Sequence, residues 1–141
     1  MNRYRASKGL ARLPLSASLT RVAQAHLADL ETNYRGGGRC NMHSWSPRGN
    51  WSSCCYTPDH AQAACMWNKP KEISGGIYVS PGYEIVAHYT APITPAMAIE
   101  IWRESAAHNA MVLNHGRWAD NTWRAMGAAI GAAYGGALAL T

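Results

Sequence analysis

The chain has 141 residues, of which 48% are hydrophobic and 15% charged. That is the size of one domain, whose core takes roughly 70% of the unfolded surface out of water, and the composition excludes a disordered chain or a charged coiled coil. Thirteen Lys and Arg against eight Asp and Glu give a net charge of +5, but the basic residues form no run or helical stripe, which argues against a nucleic-acid partner.

Asn2 to Leu10 reads as a short helix ended by Gly9, followed by an extended Leu13-Pro14-Leu15 link. Ser16 can cap a second helix, in which Leu19, Val22, Ala23, His26, Leu27 and Leu30 recur at three- and four-residue steps as far as about Asn33. His26 falls on that apolar stripe, where a hydrogen-bonded core histidine is expected. Arg35-Gly36-Gly37-Gly38-Arg39 is a loop, since three glycines carry a large ordering cost, and it lacks the Lys-Ser/Thr of a phosphate-binding loop. From Cys40 to about Val79 there is little periodicity, and so long an irregular stretch in a small domain requires crosslinks. Tyr83 to Thr90 alternates as a strand. Thr94-Pro95 supplies a cap and a first-turn proline for a helix through about Ala106, and a second short helix covers Asn109 to Leu113. Ala125 to Ala133, a turn at Tyr134-Gly135-Gly136, and Ala137 to Thr141 read as a terminal hairpin. With no βαβ repetition, this order predicts a single α+β domain over residues 1–141, a small antiparallel sheet with helices packed on it.

Cys40, Cys54, Cys55 and Cys65 fall in one stretch without a Cys-x-x-Cys pair, which argues against a zinc knuckle or a thioredoxin-type site. Adjacent cysteines rarely bond to each other, because the small ring strains the peptide between them. Two pairings remain, 40–54 with 55–65 or 40–55 with 54–65. Two disulfides imply an oxidising compartment and hence a secreted, extracellular protein. No apolar run near the N-terminus is long enough for a signal peptide or a membrane span, so the chain is expected to start after a removed export signal and not to be transmembrane. Phenylalanine is absent, and the six Trp and seven Tyr each bring an N–H or O–H that needs water or a partner. Trp45, Trp51 and Trp67 flank the cysteines and are read as a satellite core over the disulfides.

Two distant segments carry the candidate chemistry: Cys40-Asn41-Met42-His43-Ser44-Trp45 and Trp102-Arg103-Glu104-Ser105-Ala106-Ala107-His108-Asn109. Each sets a histidine beside a tryptophan and small polar residues, as at the floor of a cleft, and the two would form one site if the fold joins them. Glu100, Glu104 and His108 recur every four residues and read as a solvated face. His60, His88 and His115 stand apart from other ligand types and are assigned to surface or strand positions. Ser105 and His108 on one helix lack the facing geometry and oxyanion donors of a serine hydrolase.

These residues resemble the CAP superfamily of cysteine-rich secretory proteins, antigen five and pathogenesis-related proteins, in its short bacterial SCP-like form. Asn2-x-x-Arg5-x-x-x-x-Gly9-Leu10-x-x-Leu13, with Leu19, Ala23 and His26-x-Ala28, is similar to the family's opening helices. His43 stands where the family has a histidine after its second helix. Gly82-Tyr83-Glu84-Ile85 resembles the Gly-Glu-Asn segment, and Trp102-x-x-Ser105-x-x-His108-Asn109 the Trp-x-x-Ser-x-x-His-Arg pattern, with Met126-Gly127 before a strand. The resemblance implies an α-β-α sandwich whose cleft holds two histidines and two acids, a set that binds a divalent metal in some members. Carried onto this chain, the metal set is His43, Glu84 and His108, with Ser105 in place of the second acid, and zinc or another divalent cation is the implied cofactor. Glu84 sits one place later than the family's acid, whose position Tyr83 takes, and the family's aromatic close to the last strand is missing from Ala137-Leu138-Ala139-Leu140. The expected function is that of a monomeric binding domain for a divalent metal or a small amphipathic or anionic ligand of the cell envelope. The alternative is a metal-dependent hydrolase of peptide or ester bonds.

Overall fold

Two of the helices begin where the sequence supplies a hydroxyl acceptor. The computed structural model describes residues 1–140, and the side chains of residues 1–136; Thr141, the end of the expected hairpin, lies outside them. Helix α1 covers Asn2–Ser7 and α2 covers Ala17–Asn33, where Ser16 Oγ accepts from the Leu19 N–H. There follow α3 (Ala63–Trp67), α4 (Lys69–Ile73), β1 (Gly82–His88), α5 (Pro95–Glu104), α6 (Ala106–Val112), a 3-10 turn at Gly116–Trp118, β2 (Ala125–Ile130) and β3 (Tyr134–Leu140). Thr94 Oγ1 accepts from the Met97 N–H and Pro95 occupies the first turn of α5. The segment read as irregular therefore contains α3 and α4, each of five residues, too short for a periodic pattern to register. Ser105, with extended backbone, separates α5 from α6, so the second short helix starts three residues earlier than expected.

The sheet is antiparallel in the order β1-β3-β2, with Gly82 opposite Leu140 and Ala125 opposite Leu140 on the other side. The hairpin reverses at residues 131–133 rather than at Tyr134-Gly135-Gly136, and both glycines lie inside the central strand. Packing explains the difference. A Cβ on Gly135 would press on Ala98 of α5 at 2.9 Å, and one on Gly136 on Leu27 of α2 at 3.1 Å, so the glycines let helices close in on both faces. The turn is held instead by the Glu31 carboxylate, which accepts from the N–H groups of Ala132 and Ala133.

Strand alternation divides β1 between two layers. Val86 packs with Leu27 and Leu30 of α2, whereas Ile85 and Ala87 join Ala98, Trp102, Met111 and Val112 of α5 and α6. This is the expected α-β-α sandwich. On the α2 face, Gly127 of β2 lies beneath the backbone of Leu19 and Thr20, where any Cβ would overlap main-chain atoms. On the other face, buried Arg5 donates to the carbonyls of Ala11 (3.0 Å) and Val112 (2.5 Å) and to Asn114 Oδ1 (2.8 Å), tying α1 to the end of α6. Asn2 exchanges two hydrogen bonds of 2.9 Å with the Leu13 backbone, closing the N-terminal link.

The disulfides are Cys40–Cys55 and Cys54–Cys65, the second of the two pairings. Cys54 also exchanges backbone hydrogen bonds with Trp45, so crosslinks and a short bridge together fix the loop that carries His43. Among the described residues no helix is long and apolar enough to cross a membrane.

Two stability measurements test these contacts. Gly127→Ala should lower the denaturant-derived stability by about 2–3 kcal/mol, because helix backbone cannot yield as a side chain can. Replacing Cys54 and Cys65 together by serine should remove about 3 kcal/mol, the loop-closure value for a ring of this size.

Candidate functional site

The site begins with a buried acid. Glu84 points from β1 toward α2, where it meets His26, the histidine of the apolar stripe, fully buried. His26 Nδ1 lies 2.5 Å from Glu84 Oε1, and His26 Nε2 lies 3.0 Å from the Ser44 carbonyl oxygen. Both ring nitrogens thus face acceptors, which requires both to carry protons and makes the ring an imidazolium. Burial works against that charge, but the Glu84 carboxylate with its hydrogen bond, the Ser44 carbonyl and Asp29 outweigh it, and the His26 pKa is raised. Burial likewise works against ionised Glu84, yet the charge of His26 and hydrogen bonds from His26 and His43 hold its pKa at about 2. Trp45 stacks on His26 with ring centroids 4.3 Å apart, and Lys69 Nζ sits 5.5 Å from the Trp45 ring, so this indole is shared by two cations.

His43 forms the exposed end of this chain of groups. Its Nδ1 is 2.9 Å from Glu84 Oε2, and its backbone N–H donates to Asn41 Oδ1 at 2.9 Å. With Nδ1 turned to the carboxylate, Nε2 is its free nitrogen. His108 on α6 is half-buried, and burial first and nearby His43 second lower its pKa, which keeps it neutral. Its Nδ1 is buried without a hydrogen-bond partner.

The fold therefore brings together the two histidines and the acid singled out from the sequence. All three line one cleft of about 530 Å³ beside β1, which as an edge strand exposes residues of both its faces there. Trp67, Tyr83 and Trp118 form an aromatic wall, Tyr83 standing edge-on to Trp67 at 5.7 Å and to Trp118 at 5.1 Å. Ser105 is not among the lining residues. Nor are the tryptophans that flank the two histidines in sequence: Trp45 covers His26, and Trp102 lies in the α5 core. Trp51 packs edge-on against Trp45 at 5.0 Å in the satellite core expected over the disulfides, and Trp67 packs against the same core and also lines the cleft. Glu100 pairs with Arg103 on the solvated face of α5.

Tyr56, His60, Arg117 and Trp118 of the cleft escaped sequence reasoning. His60 accepts or donates at Nδ1 to the Tyr56 hydroxyl, 2.7 Å away, and its backbone is left-handed at φ 60°. Arg117 joins the lining from the 3-10 turn. The only signal in the chain was the Tyr56-x-x-x-His60 spacing, inside a region without periodicity.

For a divalent metal, this donor set is incomplete. Both Glu84 oxygens are occupied by imidazole nitrogens, so the acid stands behind His43 as an orienting partner, leaving His43 and His108 as free donors. Among the described residues no group of three or more His, Cys, Asp and Glu side chains could hold a metal ion. The residues thus do not fit a zinc site of three protein ligands.

A layered α-β-α domain with an imidazole-floored cleft beside its edge strand is the architecture of the CAP class. Residues 1–117 match the model of the cysteine-rich secretory protein family (CAP), and the chain belongs to that family. Among solved structures it is similar to a cysteine-rich secretory protein from Staphylococcus aureus (TM-score 0.59, 16% identity). It is also similar to an extracellular protein containing an SCP domain from Bacillus anthracis (TM-score 0.66, 14% identity). Each alignment covers 99% of this chain but only 35% and 37% of those proteins, so the chain spans about a third of their length. An outer surface protein from Borrelia burgdorferi matches 99% of this chain and 85% of its own, with a TM-score of 0.59 and 14% identity. At these identities the likeness concerns the fold. No curated protein sequence matches the chain.

The buried ion pair has a pH signature. Glu84, with a depressed folded pKa, contributes stability above the ordinary carboxylate value of 4.5 that is lost as pH falls toward 2. His26, with a raised folded pKa, contributes stability below the ordinary imidazole value of 6.5 that is lost as pH rises through its folded value. The pair is expected to contribute most between pH 4.5 and 6.5. Glu84→Gln should cost about 3–5 kcal/mol in that window and flatten the pH profile of thermal unfolding. An unchanged profile in the variant would show that the pair is not formed.

Proposed function

We propose that this chain is a secreted CAP-type binding domain whose cleft takes a small amphipathic or anionic ligand of the cell envelope. One observation carries the reading: the imidazoles of His43 and His108 and a three-ring aromatic wall line one cavity of about 530 Å³, within the size range of small-molecule sites. His43 and His108 are its polar floor, and Trp67, Tyr83 and Trp118 bind the apolar part of the ligand. Two disulfides fit an oxidising, extracellular setting, as do the family's name and the extracellular and outer-surface descriptions of its structural neighbours.

The hydrolase alternative gains nothing from Glu84. A hydrolytic site needs a carboxylate or imidazole positioned to take a proton from water, and Glu84, held ionised by two histidines at a pKa of about 2, is too weak a base, which leaves that role to the cleft imidazoles. Ser105, outside the cleft lining, offers no nucleophile there.

A second reading, an exchangeable divalent cation bridging His43 and His108, is favoured by the arrangement of His43 alone: a carboxylate behind an imidazole is the usual second layer of a metal ligand. It involves two protein donors, with water completing the coordination, and implies weak binding.

Both readings are tested by adding ligand or zinc to the wild type and to His43→Ala and His108→Ala. Amphipathic anions such as a fluorescent naphthalene sulfonate should bind the chelator-treated wild type and lose affinity in both variants. Binding equal in all three proteins would remove the cleft as the site. Zinc heats that vanish in His43→Ala and fall about 10–100-fold in affinity in Glu84→Gln would support the bridging cation.

A further inference from the structure

The cleft has a charge imbalance. Glu84 is the one acid among the described residues that line it, and its charge is matched by the His26 imidazolium behind it. Arg117 also lines the cleft, is exposed, and has no ion-pair partner among the described residues. It lies close enough to the Tyr56 phenol to favour the phenolate, yet burial prevails and keeps the Tyr56 hydroxyl protonated. Among the described residues the partner of that hydroxyl is His60 Nδ1, at 2.7 Å. A phenol donating there fixes the His60 proton on Nε2, so the ring offers a donor rather than an acceptor. His60 keeps this position with a left-handed backbone that is uncommon outside glycine, an outlier of the kind that concentrates at binding sites. A guanidinium without a counterion and an imidazole able to offer its Nε2–H therefore flank the same phenol.

The rest of the lining constrains what else the ligand carries. Trp67, Tyr83 and Trp118 are half-exposed and present ring surface to the cavity. Polar groups with capacity to spare line the same cavity: the second nitrogen of His43 and the amide of Asn41. A hydrocarbon chain lying on this floor would cover them and leave them unpaired. A ring that has C–H faces for the aromatics and hydroxyls at its rim satisfies both sets of groups.

We propose that the ligand is a carboxylated saccharide, its carboxylate held by Arg117 and His60 and its pyranose body lying on the wall of Trp67, Tyr83 and Trp118. This rests on the ligand-binding reading above and names the chemical class that fills the cleft. A planar guanidinium takes a carboxylate through two parallel N–H donors, which a neutral sugar cannot exploit.

The test uses the whole chain, treated with chelator, and three probes: cellobiouronate, neutral cellobiose and laurate. Backbone amide shifts locate binding and tryptophan emission follows it. Cellobiouronate should bind the cleft about tenfold or more tighter than cellobiose, the factor of one charge-assisted contact. Arg117→Gln should erase that difference, and Trp118→Ala should weaken both sugars. Equal affinity of the two sugars in the wild type, or a preference that survives Arg117→Gln, overturns the proposal. Laurate shifting cleft amides when neither sugar does overturns the saccharide and leaves the amphipathic-ligand reading standing. If none of the three probes shifts cleft amides, both are overturned.

Discussion

One buried charge pair joins the three parts of the molecule that make the cleft. His26 belongs to α2, Glu84 to β1, and Ser44, whose carbonyl takes the second His26 proton, to the disulfide-tied loop. Glu84 then reaches His43 on the same loop, so the orientation of the exposed imidazole is set from the core outward. Burying a carboxylate and an imidazolium is costly, and their attraction offsets that cost only when the remaining donors and acceptors are also met. Here they are: Glu84 accepts from two rings, His26 donates from both nitrogens, and Trp45 covers the ring face. The pair acts less as a source of stability than as a register pin, since any sliding of β1 against α2 would break both of its bonds at once.

Covalent and small-residue devices supply what regular structure does not. The loop from Cys40 to Tyr56 has little secondary structure, and the histidine it carries can be placed only because Cys40–Cys55 and Cys54–Cys65 shorten it to a crosslinked knot around the Trp45–Cys54 bridge. On the face that carries Glu84, Gly127 and Gly136 remove side chains that would hold α2 away, and on the other face Gly135 does the same for α5. The glycines under α2 let it come near enough to β1 for His26 to reach a strand carboxylate, and the crosslinked loop brings Ser44 and His43 to the same pair.

Periodicity and capping made α2, β1 and α5 readable. Ser16 and Thr94 cap as the sequence implies, and the stripe of α2 is buried as its spacing requires. The hairpin turn was misplaced because Gly135 and Gly136 resemble a turn locally, while their actual role depends on Leu27 and Ala98 from helices remote in sequence. Of the residues brought together in the cleft, His43 and His108 stood out in the sequence through their tryptophan-flanked segments, and Glu84 through the family resemblance. The partnership of His26 with Glu84 was not, since a stripe shows only that a residue is buried and never with what. His60 and Arg117 lie in a loop and a 3-10 turn, where neither period nor cap marks a position, and only the folded cleft reveals that they share it.

The place of the acid on β1 explains the character of this cleft. The family resemblance aligns the usual acid with Tyr83, and on a strand a displacement of one residue moves a side chain to the opposite face. Tyr83 accordingly packs with the cluster that includes Ile85, between Trp67 and Trp118, while Glu84 turns toward α2 and is neutralised by His26. The described residues that line the cleft thus include the Tyr83 ring and no unmatched negative group. A site so arranged is poorly suited to cations held by carboxylates. It is well suited to a ligand that brings the negative charge itself, to be met by Arg117, and a ring to lie against the aromatic wall.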